Sequence, residues 1–451
     1  MNSRRKFIKQ SAVVSIGFAG LAQYLTHCSF AKNETMTAAN QWLELPKGFE
    51  AKIISQWGQK MSDGFFVPSR ADGMAAFDLD GKVVLIRNHE NSPKPIEFGP
   101  FGKDLELFDL LHKEQFYDHG FGKNPSLGGT TTVVFDEEKQ EVEKQFLSLI
   151  GTNRNCAGGP TPWNTWITCE EDTTPQGEEN EQSHGYNFEI PVSGTGLIVP
   201  KPIKAMGRFN HEAVAVDPST GIVYQTEDQH DSLIYRYLPH VPGELHEGGV
   251  LQALVIKDQS SFDTRNIEQQ ALAVGQSLAV EWMTLDNVES PADDLRHRGF
   301  EAGAAVFDRG EGMWYGNEEV YFACTNGGKN RSGQVFKYKP SPFEGTDREA
   351  EQPGVLTLFA EPNDTEILKF CDNLTVSPWG DVILVEDVAG AYIRGIKPNG
   401  EIYNIGRNVG SKSELTGVCF SPSGKTLFVN VQEEGLTMAI TGPWDQLRDK
   451  V

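Results

Sequence analysis

The chain has 451 residues, 38% of them hydrophobic, with 46 Gly and 24 Pro, the balance of a folded, turn-rich protein rather than a disordered one. Its 63 acidic residues against 40 Lys and Arg give a formal charge of −23 at pH 7, which argues against a nucleic-acid partner. Length alone would suggest two or three domains, but repetitive β folds often run long as one unit.

The first residues read as an address. Ser3-Arg4-Arg5-Lys6-Phe7-Ile8-Lys9 matches the twin-arginine export pattern, and the apolar run Ala12–Leu25 after it contains Gly17 and Gly20. That run is too short and too moderate for a comfortable membrane span, so no stable span is expected in the mature chain. Ser29-Phe30-Ala31 fits cleavage after Ala31, giving a signal peptide at 1–31 and a mature domain at 40–451. His27 before Cys28 fits a lipobox poorly, so lipid anchoring at Cys28 is not expected. A bacterial protein delivered by the twin-arginine machinery to the periplasm or outside the cell is implied, exported already folded. Losing Arg4, Arg5, Lys6 and Lys9 takes the formal charge from −23 to −27. Five cysteines remain, and their spacing matches no disulfide framework or zinc motif. Cys169, Cys324 and Cys419 lie in apolar strand-like runs and read as core, whereas Cys156 lies in a glycine-rich turn.

From Trp42 onward almost nothing reads as helix, apart from a short one near Gln269–Leu278. The repeated unit is an apolar strand, a tight turn and a second apolar strand ending in an acid or amide. It runs through Met74–Glu90, His211–Asp228, Leu374–Asp387 and Gly417–Gln432, with looser copies at Thr130–Leu149 and Ala304–Asn326. From turn glycine to terminal acid the offset is six residues in two copies, Gly221 to Glu227 and Gly380 to Glu386; in the last copy the sixth position is Asn430. Hairpins at this spacing without helices between them predict an all-β, β-propeller-like fold as one domain, with loop and short-helix insertions. The alternative is a β-sandwich with its acidic strand ends in solvent. Asn91–Leu127, Thr173–Pro202, Ile256–Arg298 and Pro340–Pro353 read as loops or elaborations.

In a propeller the inner strands converge on one channel, so their ends can gather carboxylates. The stretch GTNRNCAGGPTPWNTWITCEED carries Cys156 in its turn and Glu170, Glu171 and Asp172 at a strand tip. The bland reading is a small buried Cys followed by an exposed acidic turn. Glu90, His211/Glu212, Glu227/Asp228, Glu311, Asp372/Asn373 and Glu386/Asp387 stand at similar ends. Seven or more acids on one channel must be neutralised by metals or take up protons. Oxygen donors suit Ca²⁺, and a thiolate among carboxylates admits iron. Arg309 fits bidentate recognition of a phosphate or carboxylate, or an ion pair with Glu311.

The segments GTNRNCAGGPTPWNTWITCEE, GRFNHEAVAVDPSTGIVYQTED, EGMWYGNEEVYFACTNGG, CDNLTVSPWGDVILVED and LTGVCFSPSGKTLFVNVQ, the last followed by TMAITGPW, resemble the PhoX-type alkaline phosphatase family. The resemblance runs from about Gly64 to Trp444. It implies a six-bladed propeller with an oxo-bridged Ca²⁺ and Fe³⁺ cluster in its channel, hydrolysing small phosphate monoesters outside the cytoplasm. Carried over by position, Cys156 would ligate iron, Glu171 would bridge metals and Arg309 would hold the phosphate, with Glu170 beside them as a further metal-site acid. Glu90, Glu212, Glu227, Glu311, Asp372 and Glu386 fall in the family's metal-binding motifs. The chain departs from the family in its shorter length and in lacking a lysine close before Cys156, where Arg154 would stand in. The competing readings are a Ca²⁺-dependent propeller hydrolase of lactones or phosphotriesters, and a catalytically silent Ca²⁺-stabilised binding propeller. Neither needs Cys156 or Arg309.

Overall fold

The computed structural model describes residues 36–450; the expected signal segment and Cys28 lie outside the described residues. The chain is built of short antiparallel strands, and they resolve into six radial units. The first blade holds Ala71–Leu79, Lys82–His89, Gly128–Asp136 and Glu141–Thr152; the second is three-stranded, with Asn155–Pro160, Thr165–Glu170 and Asn187–Pro191. The third holds His211–Val216, Val223–Glu227, Tyr235–Pro239 and Gly249–Ile256, and the fourth Gly310–Gly316, Glu319–Cys324, Gln334–Lys339 and Val355–Ala360. An outer strand, Ser277–Thr284, hydrogen-bonds to both, so these two blades form one nine-stranded sheet and the six units make five sheets. The fifth blade, Cys371–Val376, Val382–Glu386, Tyr392–Ile396 and Ile402–Asn408, is extended by Leu43–Pro46 and Met36–Ala38. In the sixth, Leu415–Phe420, Thr426–Val431 and Leu436–Thr441 are completed by Glu50–Gln56 from the start of the chain. That pairing closes the circle by joining the two ends of the sequence.

The local chemistry explains these elements. Second strands such as Lys82–His89 and Thr426–Val431 are buried nearly throughout, because neighbouring blades cover both faces, and they read as continuous apolar runs. The hairpin between Leu79 and Lys82 turns on Asp80 and Gly81, both left-handed at φ 53° and 76°. This is the type I′ geometry whose twist matches the strands. Residues 269–276 do not form the expected helix. Oδ1 of the Asn266 side chain accepts from the backbone amides of Ala271 and Leu272 (both 3.0 Å) and winds them into a loop, and a strand starts at Ser277. The α-helices among the described residues are Leu295–Ala302 and Trp444–Lys450.

The first strands of the six blades pack side by side in chain order, and the sixth returns to the first. All six carry a register shift near their start, between the first residue and the fourth in five of them and between Thr416 and Cys419, the second and the fifth, in the last. Such a bulge re-aims the residues within it. Gly73, Gly312 and Gly417 lie so close to the next strand that a Cβ there would sit 2.5 Å from Ala157 Cα, 2.6 Å from Asn373 Cα and 2.3 Å from Asp72 O. Small residues at these places let six backbones converge, and they narrow the channel to a cavity of about 20 Å³ lined by Gly73, Ala157, Ala213, Gly312, Asn373 and Gly417.

Candidate active site

One residue before this constriction, the second residues of the six inner strands form a ring: Asp72, Cys156, Glu212, Glu311, Asp372 and Thr416. The residues that follow the six second strands form a rim: Glu90, Glu171, Asp228, Thr325, Asp387 and Gln432. Each rim amide donates to the carbonyl of the residue preceding its blade's inner strand, in turn Arg70, Arg154, Asn210, Arg309, Phe370 and Glu414. The six-fold repeat therefore fixes three side chains per blade at one mouth.

Ligand atoms of Cys156, Glu171 and Glu212 lie within 4.8 Å of one another, as do those of Glu212, Glu311 and Asp372. Glu212 belongs to both groups, is 0% exposed, and has no hydrogen-bond partner on either carboxylate oxygen among the described residues. Asp72 Oδ1 is likewise buried and unpartnered. A buried carboxylate without a partner costs several kcal/mol, so such oxygens call for a proton or a cation. Burial first, and then Glu311, Glu171 and Asp372, push Glu212 well above the carboxylate range. Glu311, Asp372, Asp72 and Glu414 are raised by burial and mutual repulsion in the same way, and Glu171 reaches about 8. Burial, then the Asp72 and Glu212 charges, raises the Cys156 thiol. A thiol among acids with free oxygens is a donor set that suits cations, with carboxylates for a hard ion and sulfur for a softer one. The residues present fit calcium and iron.

Two guanidinium groups flank the acids. Arg309 donates to both oxygens of Asp228 (2.8 Å each) and to Glu311 Oε1 (2.7 Å). Arg154 joins Glu90 Oε1 (2.8 Å) to Glu171 Oε2 (2.5 Å). Gln432 Nε2 donates to Asp72 Oδ2 (2.7 Å) and Glu90 Oε2 (3.0 Å), tying the first blade to the sixth.

Of the expected site residues, the fold brings together Cys156, Glu171, Glu212, Glu311 and Asp372, with Arg309 beside them and Glu90 at their edge. Glu170, Glu227 and Glu386 lie elsewhere. They end their strands one residue before the rim, and alternation along a strand turns them away from it. Glu170 accepts from the amides of Asn153 (2.9 Å), Gly185 (2.9 Å) and Tyr186 (3.2 Å) and pairs with His184 (2.6 Å). Glu386 accepts from the Lys369 and Tyr392 amides (3.1 Å each) and from Arg394 Nε (2.9 Å). Glu227 accepts from the Tyr235 hydroxyl (2.6 Å) and faces Arg296 at 3.5 Å. The constant glycine-to-acid offset thus marks acids that pin the loop into the third strand. Cys169, Cys324, Cys371 and Cys419 are buried and all five described cysteines are free.

Asp72, Glu414, Gln432 and Arg70 were not singled out from sequence. For Arg70, Asp72 and Glu414 the signal was there: RADGM, RNCAG, NHEAV, RGEGM, FCDNL and ELTGV align as six copies of one inner-strand start.

A family model described as alkaline phosphatase PhoX matches residues 30–141 and 129–435. No curated protein sequence matches the chain. Among solved structures, Pseudomonas fluorescens PhoX in complex with vanadate, a transition state analogue, is similar at TM-score 0.66 and 17% identity, covering 92% of this chain and 98% of that one. The periplasmic gluconolactonase PpgL of Pseudomonas aeruginosa is similar at TM-score 0.41 and 14% identity, covering 86% of this chain and 89% of that one.

Proposed function

The chain belongs to the PhoX alkaline phosphatase family, a family of phosphoric monoester hydrolases, and we propose that it cleaves small phosphate esters at the mouth of its six-strand ring using calcium and iron. The observation that carries this reading is Glu212, with both oxygens free, shared by a thiol-containing group and an all-carboxylate group and flanked by two arginines. Cys156, Glu171 and Glu212 would hold iron, and Glu212, Glu311 and Asp372 would hold calcium. Asp72 in the ring, Asp387 on the rim and Glu414 before the sixth inner strand add further carboxylates beside these groups. When bound, such ions supply Lewis acidity and offset the negative charge of the phosphoryl oxygens.

The chain's own residues supply position. Phosphoryl transfer asks chiefly for alignment and charge neutralisation, so no serine nucleophile motif is required. Asp228 holds the Arg309 guanidinium at two points, fixing its plane for the phosphoryl oxygens before substrate arrives. Arg154, two blades away, is held through one terminal nitrogen that Glu90 and Glu171 share. The narrow floor of small residues beneath the ring keeps the ester at the mouth. The twin-arginine pattern at Arg4 and Arg5 supports export to the periplasm or beyond, with folding and metal loading before passage.

Cys156→Ser tests the reading against a lactonase or a silent propeller. Loss of bound iron together with p-nitrophenyl phosphate turnover is expected; retained turnover would remove the thiol-containing group from the account.

A further inference from the structure

The repeat places arginine three times at one position. Arg70, Arg154 and Arg309 each precede an inner strand with left-handed backbone, at φ 47°, 45° and 54°. Each gives its carbonyl to a rim amide, at 2.9, 2.9 and 3.0 Å. A non-glycine residue in this region carries backbone strain, which directs attention to what the side chain does there.

Two of the three guanidinium groups are committed to the acids they orient. Arg70 is not. Its side chain makes no hydrogen bond among the described residues; its Nε, like that of Arg154, is buried without a partner, but unlike Arg154 it has no terminal nitrogen hydrogen-bonded to an acid. Its one ion-pair neighbour within 4.0 Å there is Glu433 Oε1 at 3.7 Å, on a side chain 56% exposed. The Phe98 ring lies 5.4 Å from the guanidinium carbon, and the Ser69 amide donates to the Phe98 carbonyl at 2.8 Å, holding that ring beside the arginine. The charge is therefore pre-placed, with its terminal nitrogens free of hydrogen bonds among the described residues. It stands one blade round the mouth from Arg154, and both arginines act on Glu90.

Resting on the phosphatase reading, we propose that Arg70 is a specificity residue that takes a second oxyanion, a carboxylate or phosphate carried by the leaving group of the ester. Arg154 and Arg309 bind Glu171 and Glu311, members of the two proposed metal groups, so they bracket the phosphoryl centre. Arg70 touches neither group and stands one blade round from Arg154, to one side of that centre, where an anionic group on the leaving alcohol would meet it. In a chain of formal charge −23, an open guanidinium at the mouth offsets repulsion of a substrate with more than one anionic group. The substrates favoured are monoesters of hydroxy acids and bisphosphates.

The test is calorimetric binding of two non-hydrolysable probes to the protein as purified: 3-phosphonopropionate, which carries a carboxylate, and propylphosphonate, which does not. Wild type is expected to prefer the first about ten-fold, the scale of one charge-assisted contact. Arg70→Ala should abolish the preference. Arg70→Lys should restore part of it, since a point charge replaces the fork. Glu433→Gln should widen it by freeing the guanidinium. Equal affinity of wild type for the two probes, or equal weakening of both by Arg70→Ala, would overturn the assignment. A preserved preference in a protein that does not hydrolyse p-nitrophenyl phosphate would leave Arg70 in place and remove the phosphatase reading instead.

Discussion

Withdrawing one buried proton at alkaline pH should loosen the second blade. His184 lies between Glu170 Oε1 at 2.6 Å and Asp118 Oδ2 at 3.3 Å, with its side chain 0% exposed. Asp118 belongs to the 91–127 insertion, so the imidazolium ties that insertion to the strand end that also carries Glu171. Burial opposes its charge, but Glu170 and then the Asp118 hydrogen bond prevail and raise its pKa from 6.5 to about 10. A raised folded-state pKa means that the stabilisation is complete below the unfolded value of 6.5 and is lost as pH rises toward the folded value. At about 1.36 kcal/mol per pKa unit the full span amounts to a ceiling of about 5 kcal/mol. Near pH 8 about 2 kcal/mol of it should be gone. Urea unfolding of chelated protein between pH 6 and pH 10.5 measures this, with His184→Gln as the variant that cannot titrate. Wild type should lose stability with pH more steeply than the variant, and the two should converge at the alkaline end. Parallel pH profiles would refute the pinning role assigned here to Glu170 and His184.

Arg309→Ala should lower kcat/KM for p-nitrophenyl phosphate by about 10²–10³, the scale of losing one fixed charged donor; a wild-type value would take Arg309 out of phosphate binding. Glu386→Gln should leave the Ca and Fe content unchanged but cost about 3–5 kcal/mol in urea unfolding, because Arg394 would be left as a buried, unbalanced charge. Loss of metal in that variant would return Glu386 to the ligand set. Gly73→Ala should destabilise by about 1–3 kcal/mol or more, since the new Cβ meets Ala157 Cα at 2.5 Å and Cys156 O at 2.9 Å. It should also reduce turnover by displacing the Cys156 strand, and wild-type stability would show that the inner strands have slack.

How much of this was legible in the sequence differs by level. Turn chemistry and apolar strands are local properties, so hairpins such as FDLDGKVVLI and the repeated units were readable directly. Pairing of Glu50–Gln56 with the last hairpin, and the outer strand Ser277–Thr284 bridging two blades, depend on contacts far apart in the chain and left no local mark. The acids were found as a set, but sorting them required the pleat. Glu170 and Glu171 are adjacent in sequence, yet one pins a loop and the other faces the channel. Asp72 was hidden because RADGM shows a lone acid beside a glycine, which is ordinary turn chemistry unless all six inner-strand starts are aligned. Arg70 was hidden for the same reason. The expected helix near 269–278 failed because a single buried Asn266 side chain outcompetes weak helical propensity there.

Metal ions held by the ring and rim are expected to support phosphomonoester hydrolysis. Elemental analysis for Ca and Fe and p-nitrophenyl phosphate turnover, made on one sample before and after chelation and again after Ca²⁺ is restored, tests it most directly. Both metals are expected in the purified protein, with turnover lost on chelation and recovered with Ca²⁺. A protein with neither metal nor turnover would contradict it.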